Sequence, residues 1–104
     1  MTEYDVVIET TAVFDMRGVF DYITDVLKQP EAARRIFFSI EEKAMSLNRM
    51  PKRYNLVRDE HYAGIGVRSM PVENYTAFYV VDETEHVVHI LRVLYNRREW
   101  RDLL

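Results

Sequence analysis

The chain has 104 residues, 48% of them hydrophobic and 30% charged, with a formal net charge of −3 and no cysteine. These values fit an ordinary globular chain with one hydrophobic core, read as a single domain over residues 1–104. They exclude a disulfide framework and thiolate chemistry, and no apolar run approaches the roughly 18 residues that a membrane span needs. The N-terminal Met1, Thr2, Glu3, Tyr4 and Asp5 have no signal-peptide character, so the expected location is the cytoplasm, with no membrane partner. A net charge of −3 speaks against a dedicated nucleic-acid domain, for which a pI above about 9 is expected. Charge is nonetheless unevenly spread. Residues 1–48 carry five basic and nine acidic side chains, residues 49–104 nine and eight, with the bases gathered at 49–58 and 92–101.

Residues 4–9 predict a short strand with Val6 and Ile8 on one face. Thr10 and Thr11 are natural caps for a helix in which Val13, Met16, Phe20, Ile23 and Leu27 recur at three- and four-residue spacing. Gly18 in its middle costs about 1 kcal/mol against alanine and is expected to mark close packing on a neighbour. Pro30 suits the first turn of a second helix and Glu31 complements its dipole. Ala33, Ile36, Phe37, Ile40, Ala44 and Leu47 form its apolar face, and Pro51 stops it. Two helices joined so closely form an antiparallel hairpin.

Beyond Pro51 the chemistry is that of strands. Residues 54–57 predict a short one, 58–62 a loop, and 65–70 an alternating strand with Pro71 at its end. Residues 74–81 predict a long strand and 82–85 a hairpin turn. The last strand, from His86 to about Leu94, is apolar at nearly every position instead of alternating, the pattern of a central strand covered on both faces. It leads into Tyr95, Arg97, Arg98, Trp100 and Arg101, and Trp100, Leu103 and Leu104 are expected to dock back on the core. The fold class is α+β in the order β-α-α-β-β-β: a small antiparallel sheet with an N-terminal helical hairpin packed on one face.

Most familiar sites are missing. Gly64 and Gly66 are not followed by the third glycine and helix of a nucleotide fingerprint. His86 and His89, three apart on a strand, face opposite ways and make no metal pair, and no serine sits in a nucleophile elbow. What remains is a set of cations and phenols on the β half, among them Arg53, Tyr54, Arg58, Arg68, Tyr75, Tyr79, Arg92, Tyr95, Arg97 and Arg98. Arg68 interrupts an otherwise small or apolar strand. It is a site residue, an exposed edge-strand arginine, or a partner for Glu73 or Asp82. Tyr95 and Trp100 read as aromatic caps on the core.

The order of elements and several segments together resemble the RelE/ParE superfamily of type II toxin–antitoxin toxins. These segments are YDVVI (4–8), FDYI (20–23), PEAA (30–33), PKRY (51–54), VRSMPV (67–72), YTAFYV (75–80) and ILRVLYNRREW (90–100). The resemblance covers nearly the whole chain and implies a toxin neutralised by a cognate antitoxin protein. In the RelE-like branch it implies a metal-independent, ribosome-dependent mRNA endoribonuclease without cofactor, in which the RNA 2′-hydroxyl attacks the adjacent phosphate. Carried over by position, Arg68, Tyr95 and Arg97 are its catalytic candidates, and Lys52, Arg53, Arg58 and Arg98 its target-binding candidates. The tail after Arg97 lacks the tyrosine usual in those nucleases, and the chain lacks their basic charge. The ending also resembles the ParE branch, whose members poison DNA gyrase without an identified nuclease site. A decayed, inactive toxin fold is a third expectation.

Overall fold

The computed structural model describes residues 3–96 and 98–104. Its centre is β4 (Val87–Tyr95), flanked in a four-stranded sheet of order β1-β4-β3-β2 by β1 (Asp5–Ile8) and β3 (Tyr75–Asp82), with β2 (Arg68–Val72) at the far edge. The unbroken apolar run is explained by two clusters. Val88, Ile90 and Val93 enter a large one that also holds Ala12, Met16, Ile40, Ala44, Leu47, Met70, Val72, Ala77 and Tyr79. Leu94 joins Phe78, Val57 and Val67 in a smaller one on the opposite face, against which Tyr62, Trp100, Leu103 and Leu104 pack. The C-terminal segment therefore docks where the sequence placed it. A bulge decides which residue takes which face: Tyr79 pairs with Ile90 but Phe78 with Arg92, so Leu91 is an extra residue that shifts the phase of alternation and sends Val93 to the helix side and Leu94 to the other.

The sheet is mixed, which corrects the antiparallel expectation. β2, β3 and β4 form the expected meander, but β1 runs parallel to β4, with Asp5 opposite Val87 and Ile8 opposite Ile90. Alternation records which face a side chain takes and nothing of strand direction. Only the short turns of the meander fix direction, and β1 reaches β4 through no such turn.

The helical hairpin covers the large cluster. α1 (Thr10–Asp21) buries Ala12 and Met16, and α2 (Pro30–Met45) buries Ala33, Ile40 and Ala44. Phe20 and Phe37 meet edge to face between them, centroids 6.0 Å apart. Glu9, not Thr10 or Thr11, is the N-cap residue of α1, and its carbonyl accepts from the Val13 N–H. After Asp21 the helix widens into a π-helical turn, Tyr22–Val26, closed by the Leu27 N–H on the Tyr22 carbonyl. The extra residue per turn rotates the apolar stripe, leaving Tyr22, Val26 and Leu27 exposed. Gly18 has open space where a Cβ would sit, so close packing is not its reason.

Three local expectations shift. Residues 54–57 make only an isolated bridge, Leu56 to Arg68. The expected loop at 58–62 turns into the short helix α3 (Glu60–Gly64), because Asp59 caps it through the Tyr62 N–H. β2 starts at Arg68 and includes Pro71, which an edge strand tolerates. Where β1 ends, Asp15 of α1 takes over the edge of β4. Its carboxylate accepts from the Val93 N–H at 2.9 Å and from Arg92 Nε and Nη2 at 2.7 and 2.8 Å, while Arg92 Nη1 donates to the Leu103 carbonyl. Among the described residues no helix is long and apolar enough to cross a membrane.

Candidate functional site

The structure divides the sequence-predicted site residues between two places. Arg68, Met70 and Val72 alternate with Ser69 and Pro71 along β2, and Met70 and Val72 lie in the helix-side core. Arg68 therefore turns to the helix side, where its guanidinium donates to the Tyr54 carbonyl at 2.7 Å and the Lys52 carbonyl at 3.3 Å. Neither Glu73 nor Asp82 is its partner: Glu73 pairs with Arg35, and Asp82 accepts from the Glu85 N–H. Arg53 closes the end of the second helical segment, donating to the Arg49 carbonyl and Ser46 Oγ at 2.8 Å each and lying over the Tyr54 ring. Lys52 forms an ion pair with Glu83. Beside them the Tyr79 hydroxyl, fully buried, donates to the Pro51 carbonyl at 2.6 Å. Burial pushes the Tyr79 phenol above its ordinary pKa, while the Arg68 and Arg53 guanidiniums pull it back. Arg68 and Tyr79 together hold the turn at Pro51 against the sheet.

Arg58 and Arg98 meet at the other place, a cleft of about 420 Å³ on the opposite face, which Tyr95 borders while its ring packs on Tyr75 toward the helix side. Its floor is Ser69 of β2, Thr76 and Phe78 of β3, and Leu94 of β4; Asn96, Trp100 and Arg101 complete the walls. Trp100 stacks on Phe78 with centroids 5.0 Å apart, and the Arg101 guanidinium lies over the indole. Arg101 Nε and Nη1 reach Asp59 and Glu99, both at 3.0 Å, and the Tyr62 hydroxyl donates to the Arg101 carbonyl at 2.8 Å. The Tyr62 N–H, with the Arg101 guanidinium, holds the Asp59 carboxyl below its usual range. Arg97 lies outside the described residues. Ser69, Thr76 and Asn96 were not among the sequence candidates. The parity of β2 was the available signal: Arg68 and Ser69 must take opposite faces, and Met70 and Val72 say which face is core.

A third feature is an apolar groove of about 940 Å³ between the hairpin and the end of the sheet. Phe14, Tyr22 and Leu27 line it from the helical side, and Tyr75 and Tyr95 from the strands. An ion pair of Arg35 with Glu73, at 2.7 Å, crosses its rim. Phe14 is 62% exposed and Tyr22 53%. Burial, then the neighbouring Tyr95 and Tyr22 phenols, raise the Tyr75 pKa. The histidines stand apart from all three features: His89 Nδ1 is 3.3 Å from Glu9, His86 packs on Tyr4 and His61 on Tyr62. Among the described residues no three His, Cys, Asp or Glu side chains gather as a metal site would require.

The fold is shared with known proteins. The chain is similar in structure to the chromosomal ParDE toxin–antitoxin system from P. aeruginosa, with a TM-score of 0.74, 21% identity, and 89% of this chain and 96% of that one covered. It is also similar to the toxin–antitoxin complex RelBE2 from Mycobacterium tuberculosis, with a TM-score of 0.68, 27% identity, and coverage of 90% and 99%. No curated protein matches it by sequence. The family model of the ParE toxin of the type II toxin–antitoxin system parDE matches residues 6–100. With nearly its whole length so matched, the chain belongs to the ParE toxin family of type II toxin–antitoxin systems.

Proposed function

We propose that this toxin acts as a protein-binding poison of the ParE kind, with DNA gyrase as its target, and that a cognate antitoxin silences it. The observation that carries this reading is the position of Arg68. A nuclease built on Arg68 and Tyr95 needs both on one phosphate, the arginine meeting its charge and the phenol moving a proton. Here the Arg68 guanidinium serves two backbone carbonyls on the helix side, while Tyr95 lines the groove and the cleft. The net charge of −3 also suits a protein target better than the ribosome. The antitoxin is proposed to lay an amphipathic segment, folding as it binds, along the groove beside Phe14, Tyr22 and Leu27.

The test is a pair of assays on the purified chain. Gyrase incubated with it and supercoiled DNA is expected to accumulate protein-linked double-strand breaks, while mRNA ends mapped by primer extension during cell-free translation stay unchanged. Ribosome-dependent mRNA cuts that vanish in Arg68→Ala would overturn the reading and restore the endoribonuclease.

A further inference from the structure

The outward face of α2 lies away from the groove and the cleft, since Arg34, Phe38 and Glu42 line neither. The helix buries Ala33, Ile40 and Ala44, and at about 100° per residue the stripe opposite them runs through Arg34, Phe38 and Glu42. All three are exposed, Phe38 at 61%. A single apolar side chain in water needs no special cause. What sets Phe38 apart is the arrangement of charge around it.

That arrangement is symmetric in place and opposite in sign. Arg34 comes four residues before Phe38 and Glu42 four after, so each stands about 6 Å from it along the helix axis. Arg35 and Glu41, three before and three after, repeat the relation, although Arg35 also holds Glu73. Among the described residues, neither Arg34 nor Glu42 takes part in an ion pair.

A pattern of cation, ring and anion at equal spacing is its own complement when reversed. Two such helices set antiparallel about a twofold axis at Phe38 bring the two rings together. Arg34 of each copy then faces Glu42 of the other, the reciprocal contact of a symmetric dimer. A parallel pairing would instead set arginine against arginine and glutamate against glutamate, at a cost.

We propose that the outward face of α2 pairs with the same face of a second copy of this chain, antiparallel and centred on Phe38. A helix of 16 residues is about 24 Å long, and one helix laid on another covers less surface than a standard stable interface. The dimer is therefore reversible and depends on concentration. It carries a groove and a cleft on each copy, none of them lined by Arg34, Phe38 or Glu42. It does not depend on the gyrase reading, which uses none of these side chains.

Sedimentation velocity on the purified chain, from about 10 µM to about 1 mM, is expected to show the mass rising from 12.5 kDa toward twice that. Phe38→Ser should weaken association about tenfold or more, as loss of a central aromatic contact does. Arg34→Glu and Glu42→Arg each place like charges opposite one another and should each remain monomeric. Mixed in equal amounts the two variants should associate, because one copy then offers two anions and the other two cations. A helix weakened by the substitutions would not produce that rescue, and far-UV circular dichroism on each variant checks the fold. Phe14→Asp, in the groove, should associate as the wild type does. A wild type that stays at 12.5 kDa throughout, undiminished association in Phe38→Ser, or a mixture no more associated than its parts would overturn the proposal. Loss of association in Phe14→Asp would move the contact to the groove and overturn it too.

Discussion

Tyr79 and Arg92 show how single side chains connect distant parts of this molecule. The Tyr79 hydroxyl is the buried partner of the Pro51 carbonyl, so Tyr79→Phe leaves that carbonyl unsatisfied and is expected to cost about 1–3 kcal/mol by urea unfolding. Because burial raises the phenol's pKa in the folded state, the fold favours its neutral form. The associated stability is complete below the unfolded value near 10 and declines as pH rises through the folded value. The wild type should therefore lose stability above about pH 10, and Tyr79→Phe should flatten that decline. A slope unchanged by the substitution would assign the alkaline loss to other groups. Arg92 bridges α1, β4 and the C-terminal segment through Asp15 and Leu103, with its side chain 18% exposed and that of Asp15 13%. Asp15 raises the Arg92 pKa further, so the guanidinium stays charged at any working pH. Arg92→Met strands the Asp15 carboxylate and is expected to cost about 2–4 kcal/mol, more than removing any exposed ion pair here. A loss under about 0.5 kcal/mol would mean that water replaces the pair.

Among the elements, those with a strong period were legible and those set by a partner were not. The two helices and the three meander strands follow from apolar spacing, and the two-sided burial of β4 from its lack of alternation. The π-helical turn was not legible because a single wide turn leaves no period of its own in the sequence and sits where the chain packs against α2. α3 escaped because the cap and helix comprise only a few residues, too few to show a period. At the site, residue types were legible but faces were not: Arg68 looked like a site residue until β2's parity set it on the core side. Gly18 tests the element scale directly. It lies in a regular stretch of α1 with open space at its Cβ, so Gly18→Ala should stabilise the fold by about 0.5–1 kcal/mol. That corresponds to a rise in Tm of roughly 2–6 °C for a chain of this size. A fall in Tm would mean the glycine answers a backbone need that its helical position does not reveal.

For the whole molecule, the turn at Pro51 stands apart from the other two surface features, while the groove and the cleft adjoin at Leu94, Tyr95 and Arg98. The turn at Pro51 is internally bonded, the arginine cleft lies across the sheet from it, and the apolar groove runs between the hairpin and the strand ends. An exposed apolar groove of this size on a small protein is a docking surface in waiting, because it leaves large side chains in water that a partner would cover. Phe14 is the side chain to change. It is 62% exposed, so Phe14→Asp removes apolar contact and adds a charge to the groove without opening the core. If the antitoxin covers the groove and the cellular target engages another surface, the variant expressed alone should still arrest growth. The same variant co-expressed with the antitoxin should no longer be rescued, and its affinity for the purified antitoxin should fall by about a hundredfold or more, as expected of a central contact. Loss of arrest and of rescue together would mean that target and antitoxin share the groove. Full rescue with unchanged affinity would place the antitoxin elsewhere and leave the groove to the target alone.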